Sequence, residues 1–120
     1  MYFLRIYFKG AQCRIKHSLK GKVIIVTGAS SGIGRSAAIY FLNCGANVIL
    51  AGQDKETMVS MCKEFGFKNA TIMTFDLIND QGIFDFKTAI VETLNKIDIL
   101  VTCHGILFDG DIEKYLKRPI

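Results

Sequence analysis

The sequence predicts an α/β fold, a doubly wound parallel sheet of about four strands. Three observations carry that expectation. Short apolar, β-branched runs alternate with segments of helical periodicity. The connections between them are short and carry Gly, Asn or Asp. The composition is that of a folded domain: of 120 residues half are hydrophobic and 22% charged, with one Pro and eleven Gly. Such a balance excludes a disordered chain, a collagen-like repeat and a Pro-rich linker. No apolar run approaches the ~20 residues of a membrane-spanning helix.

Each element has its own justification. Lys22–Thr27 (KVIIVT) is a continuous apolar run between Gly21 and Gly28, as expected of a strand buried on both faces. Gly34–Asn43 has apolar residues at 37, 38, 41 and 42, and Gly45 is placed to close that helix. Asn47–Ala51 (NVILA) is a second buried strand. Asp54 is a helix cap for 55–65, where Met58, Met61, Cys62 and Phe65 share one face. Ala70–Phe75 is the third strand. Asp80–Asn95 follows as a helix with Ile83, Phe86, Ile90 and Leu94 inward, and Ile97–Thr102 (IDILVT) is the fourth strand. Residues 111–117 begin a further helix. Buried strands joined by helical crossovers require a parallel sheet with helices on both faces.

The charge is uneven. Residues 1–53 hold seven Lys or Arg and no acid, whereas residues 54–120 hold eight basic and eleven acidic residues. A basic first half suits an anionic ligand, an acidic lipid surface or a nucleic acid. Residues 1–20 are basic, aromatic and free of acids, and are expected to be an extension preceding a domain at 21–120. Their imperfect amphipathic pattern leaves membrane or organellar targeting open as an alternative. No regular alternation of basic and aromatic residues marks a nucleic-acid reader, so no nucleic-acid partner is expected. The cysteines at 13, 44, 62 and 103 lack CxxC or CxxH spacing, so no metal site is expected. Reduced thiols and the absence of a secretory cleavage pattern point to an intracellular, cytoplasmic protein.

The connection after the first strand carries the chemistry: Thr27-Gly28-Ala29-Ser30-Ser31-Gly32-Ile33-Gly34. Glycines after a strand and before a helix permit a tight turn and a close backbone approach to a diphosphate. The helix opening near Ile33 directs unpaired N–H groups and the positive end of its dipole at that group. The chain has no GxxxxGK[ST] string, which excludes a P-loop.

With these residues in view, the sequence resembles the short-chain dehydrogenases/reductases from about Leu19 to about Glu113. TGxxxGxG at 27–34 is the family signature. Asp76-Leu77 stands where the family has an Asp that meets the adenine amine. Asp98 stands in the family's IDxLV strand. Thr102-Cys103-His104-Gly105 occupies the place of NNAG. The resemblance implies a Rossmann-like fold with strand order 3-2-1-4, truncated relative to the full family fold, and an NAD(P)-dependent oxidoreductase that reduces carbonyls or oxidises alcohols by hydride transfer. The implied cofactor-binding residues are Gly28, Ser30, Ser31, Gly32, Ile33, Gly34, Gln53, Asp76, Leu77, Thr102, Cys103 and Gly105.

The departures are equally specific. Both Asn positions of NNAG are replaced, and His104 puts a ring where the family has Ala. Thr102 and Cys103 offer a hydroxyl and a thiol, without an amide's two-sided hydrogen bonding. The family's YxxxK pair, in which Lys lowers the pKa of a Tyr acid/base, is absent: Tyr115 is followed four residues later by Pro119, and Tyr2, Tyr7 and Tyr40 by Ile6, Ala11 and Cys44. No catalytic residue is therefore assigned. The chain is expected to be a truncated product that keeps the cofactor-binding half, with little or no activity alone. A carbonyl or alcohol substrate would bind only if the other half were supplied. At the tip of the second strand Gly52 replaces the Asp that selects NAD, Gln53 stands where relatives preferring NADP have Arg, and Lys55 and Arg35 are near. This leans to NADP over NAD. The alternative function is a non-catalytic nucleotide-binding or interaction module, since the fourth strand would leave an open apolar edge prone to self-association.

Overall fold

The computed structural model describes residues 18–105. The helix expected at 111–117, Tyr115, Pro119 and most of the extension 1–20 lie outside the described residues. The elements are β1 (Val23–Thr27), α1 (Gly32–Asn43), β2 (Asn47–Gly52), α2 (Lys55–Phe65), β3 (Ala70–Thr74), α3 (Asp80–Thr93) and β4 (Ile99–Thr102). The four strands form one sheet in the order β3-β2-β1-β4, and every pairing is parallel. Fold and strand order agree with the sequence reading.

Alternation along the strands divides the core between two faces. Ile24 and Val26 of β1 and Val48 and Leu50 of β2 pack with Ala38, Ile39 and Leu42 of α1 and Met58 and Met61 of α2. Ile25, Ile49 and Ala51 point the other way, against Phe86 of α3. Val23, Met73, Phe75, Ile90 and Leu94 border that second cluster, and the Phe75 and Phe86 rings lie 5.3 Å apart. Helices therefore cover both faces, and the central strands β1 and β2 are almost wholly buried.

Helix ends follow local chemistry. Asp54 caps α2 by accepting from the Thr57 amide, and Asn79 caps α3 by accepting from the Gly82 amide. Gly45, just past α1, donates to the Leu42 carbonyl at 3.1 Å. The differences from expectation lie mainly at the margins. α1 begins at Gly32 rather than Gly34, β2 runs on to Gly52, β3 stops at Thr74, and α3 stops at Thr93. Ile83 is half exposed rather than inward. At ~100° per residue it falls between Ile90 and Leu94 on the helical wheel, so the helical period does not account for its exposure. Phe65 is 43% exposed in the last turn of α2, where it stacks on Phe67 at 5.5 Å instead of entering the core.

β4 starts at Ile99, two residues later than expected, and Asp98 explains the start. Its backbone N–H donates to the Val23 carbonyl at 2.9 Å, and its carboxylate Oδ2 accepts from the Val23 amide at 2.7 Å. A side chain thus takes the place of a strand partner at the first rung. Lys96 Nζ lies 3.2 Å from the same oxygen. The Val23 amide, and then Lys96, hold the Asp98 carboxyl below its ordinary pKa. No helix among the described residues is long and apolar enough to cross a membrane.

A carboxyl whose pKa is lowered in the folded state adds stability above its unfolded pKa of about 3.9 and loses it as pH falls through the folded value. Urea denaturation of the wild type and Asp98→Asn should therefore show a gap at neutral pH that closes in the acid range below about pH 4. A gap independent of pH would contradict this role for the Asp98 charge.

Candidate functional site

The sheet order creates the site. The chain runs outward from β1 through β2 to β3, then returns to place β4 on the other side of β1. The strand order therefore reverses between β1 and β4, and at such a switch point a crevice opens at the carboxyl ends of the strands. Here it is an open cleft of about 430 Å³. Its walls come from the ends of all four strands: Gly28, Ser30 and Ser31 after β1; Gly52 and Gln53 at β2; Phe75, Leu77 and Ile78 after β3; and Cys103, His104 and Gly105 after β4.

Thr27 closes β1 and is the sole buried polar residue among the described residues. Its Oγ1 accepts from the Cys103 amide at 3.2 Å and lies 3.1 Å from His104 Nδ1. The Thr27 carbonyl also accepts from the Cys103 amide at 3.3 Å. The backbone of Cys103, rather than its side chain, thus ties the two turns together. Gly28 follows at φ +67°, and a Cβ there would lie 2.7 Å from the Cys103 carbonyl oxygen and 2.8 Å from the His104 nitrogen. A side chain at Gly28 is refused by both conformation and contact. Gly34 faces the same turn from α1: a Cβ on it would fall onto the Gly28 carbonyl group.

The mouth of α1 differs from those of the other helices. Ser31 occupies its N-cap position in extended backbone, yet its side chain makes no capping hydrogen bond, and the first turn carries no acid. α2 has Asp54 and Glu56 in these roles, and α3 has Asn79 and Asp80. The leading N–H groups of α1 thus have no side-chain acceptor, beside a cleft edged by Ser30 and Ser31. Backbone donors and the helix dipole make this end attractive to an anion.

The opposite wall is organised by Asp76. Its Oδ1 accepts from Gln53 Nε2 at 2.7 Å and from the Ile78 amide at 3.0 Å, and its Oδ2 accepts from Asn79 Nδ2 at 2.9 Å. A carboxylate only accepts, so the amide end of Gln53 facing it is the nitrogen. Asp76 joins the tip of β2 to the loop after β3. Behind that loop, the Gly82 Cα hydrogens face the Asp76 carbonyl so closely that a Cβ would collide with it.

Of the residues expected from sequence, Gly28, Ser30, Ser31, Gln53, Leu77, Cys103 and Gly105 line the cleft. Gly32, Ile33, Gly34, Asp76 and Thr102 stand behind or beside its lining. Ile33 is 80% exposed at the α1 mouth, and Thr102 pairs with Thr27 in the sheet. Phe75 and Ile78 line the cleft without having been expected. Both flank the Asp76-Leu77 pair, so the carboxyl end of β3 was the signal that could have found them. The two basic residues expected near the β2 tip have different surroundings. Arg35 lies 3.9 Å from Glu64 of α2, a surface pair, while Lys55 opens α2. Asp54 is committed to Thr57, whose hydroxyl and amide hold its carboxyl below the usual range. Cys44, Cys62 and Cys103 are free thiols, and burial raises the pKa of Cys44 and Cys62. Among the described residues no group of three His, Cys, Asp or Glu could hold a metal ion.

The chain's relatives share this arrangement of sequence and fold. The short chain dehydrogenase family model matches residues 22–119. Retinol dehydrogenase 13 of Homo sapiens is 32% identical over 108 residues, covering 87% of this chain and 33% of that protein. The mitochondrial borneol dehydrogenase of Lavandula x intermedia is 40% identical over 91 residues, covering 73% of this chain and 33% of that protein. Among solved structures, the Pseudomonas aeruginosa RhlG/NADP active-site complex superposes with a TM-score of 0.72 at 28% identity, covering 86% of this chain and 40% of that one. The 2-keto-3-deoxy-D-gluconate dehydrogenase of Streptococcus agalactiae gives a TM-score of 0.68 at 33% identity, over 85% of this chain and 38% of that one. The chain spans about one third of the length of the curated relatives it matches. On these matches, and on a glycine turn seated at the switch point of a parallel sheet, the chain belongs to the short-chain dehydrogenase family.

Proposed function

We propose that this chain binds a nicotinamide dinucleotide in the cleft, as the cofactor-binding part of an oxidoreductase that interconverts carbonyls and alcohols. The observation that carries the reading is the uncapped mouth of α1 beside Gly28, where the turn leaves no room for a Cβ. The residues fit the group. Backbone N–H groups from Gly32 to Gly34, with the Ser30 and Ser31 hydroxyls, take the diphosphate. Gly52 and Gln53 face the adenosine ribose, and Asp76 and Leu77, with Phe75 and Ile78, flank the adenine. Thr102, Cys103 and Gly105 supply the backbone of the β4 side. When bound, the nicotinamide supplies a hydride. The protein's part is to hold the dinucleotide in an extended pose along the strand ends.

The phosphorylated coenzyme is the better match. No carboxylate stands at Gly52 to repel a 2′-phosphate, and the Pseudomonas aeruginosa neighbour was solved with NADP. Residues 1–120 contain no YxxxK, so they lack the acid that would protonate a carbonyl oxygen. Binding without turnover is the expected behaviour of this polypeptide by itself, and a substrate site requires groups from outside it. Residues 21–120 form the binding domain in this reading, preceded by the basic extension 1–20.

A second reading, an interaction module, has its own observation. Leu100 is 59% exposed on the edge strand β4, with Val91 and Ile97 exposed nearby in sequence. Among the described residues no strand pairs with the far side of β4. Such an edge recruits another chain.

Titration of the purified chain with NADPH and NADH, followed by coenzyme fluorescence, should show saturable binding, tighter for NADPH, and a carbonyl assay should show no turnover. Gly28→Ala should weaken binding at least ~10-fold and destabilise the fold by about 1–3 kcal/mol, because the new Cβ meets backbone at a left-handed position. Absence of binding by either coenzyme would overturn the proposal, and robust turnover would overturn the need for YxxxK. For the second reading, size-exclusion chromatography at micromolar concentration should show association that Leu100→Lys reverses. A monodisperse monomer would count against it.

A further inference from the structure

Resting on the dinucleotide reading, the geometry points to His104 as a phosphate-binding residue: Thr27 fixes its ring as the Nε2–H tautomer, and that N–H is donated to the diphosphate. The tautomer follows from counting donors. Thr27 Oγ1 already accepts the Cys103 N–H. Its own hydrogen needs an acceptor, because Thr27 is only 4% exposed. The one acceptor beside it among the described residues is His104 Nδ1, at 3.1 Å. Were Nδ1 to carry the hydrogen instead, Oγ1 would face two donors and the buried hydroxyl hydrogen would have no partner, a costly arrangement. Nδ1 is therefore the acceptor, and the hydrogen resides on Nε2.

The ring's location supplies the ligand. His104 lines the cleft together with Gly28, Ser30 and Ser31. Its backbone nitrogen lies 2.8 Å from where a Gly28 Cβ would stand, so the residue is seated against the turn that leads to the α1 mouth. An Nε2–H donor there adds to the backbone donors of the helix and to the two serine hydroxyls. The alanine that stands at this position in the family motif has no such group. Thr27 acts through His104 and is a positioning residue.

Two measurements test this on the full chain. Imidazole 15N shifts of the ligand-free protein in mildly alkaline buffer should show His104 with Nε2 protonated and Nδ1 bare. His17→Gln identifies the signal. Thr27→Val should relax the ring to the tautomer mixture of an unrestrained histidine, with measurable Nδ1–H, and Thr27→Ser, which keeps the hydroxyl, should retain the single Nε2–H tautomer. A protonated Nδ1 would overturn the inference. In coenzyme titrations His104→Ala should weaken NADPH and NADH by about tenfold. Competition by adenosine, which lacks the diphosphate, should be unchanged. Equal or tighter coenzyme binding by His104→Ala would show that the ring merely fills space, and an equal loss for adenosine would refute the phosphate contact. If the wild type binds neither coenzyme, the dinucleotide reading itself fails, and the ligand contact with it. The tautomer measurement separates that outcome from an error about His104.

Discussion

The close approach of the β1 turn to the β4 turn is the constraint on which the ligand-facing end of this protein depends. Gly28 runs so near Cys103 and His104 that only a glycine fits, and Gly34 presses on Gly28 from the helix side. Three backbone segments meet there within van der Waals contact. A crevice whose floor is backbone presents N–H groups at fixed positions, with no side chain to move aside. The same contact seats the mouth of α1 at the cleft.

Pinning β4 is the other half of this constraint. β4 is the most exposed strand, and hydrophobic burial alone holds it weakly. Hydrogen bonds between side chain and backbone hold it at both ends instead. Asp98 accepts the Val23 amide where the pairing starts, and Thr27 accepts the Cys103 amide where it stops. Both fix the register in which Ile24 faces Ile99 and Thr27 faces Thr102. A slip of one residue would move Cys103 away from Gly28 and open the turn.

The cleft divides its chemistry between its walls. The β1 side is polar and built from backbone and serine hydroxyls. The β3 side is apolar, with Phe75, Leu77 and Ile78 at its surface and Asp76 holding the loop from behind. Gln53, at the tip of β2, is tied to the β3 side through Asp76. A ligand with a charged centre and a flat aromatic end matches that division.

Periodicity and turn chemistry made most of this legible in the sequence. Apolar β-branched runs marked β1 and β2 because strands buried on both faces admit little else, and Asp54 marked α2 because a carboxylate satisfies an exposed amide locally. TGxxxGxG located the α1 mouth for the same reason: the required turn is a local property. Tertiary structure alone decided what depends on residues far apart in the chain. The register of β4, the engagement of both Asp76 oxygens, the pairing of Arg35 with Glu64, the placement of Phe75 and Ile78 on the cleft wall and the grip of Thr27 on His104 are of this kind. Local pattern records which surface a residue can bury. Hydrogen bonds between residues 23 and 98, or 27 and 104, exist only once the sheet has brought those segments together.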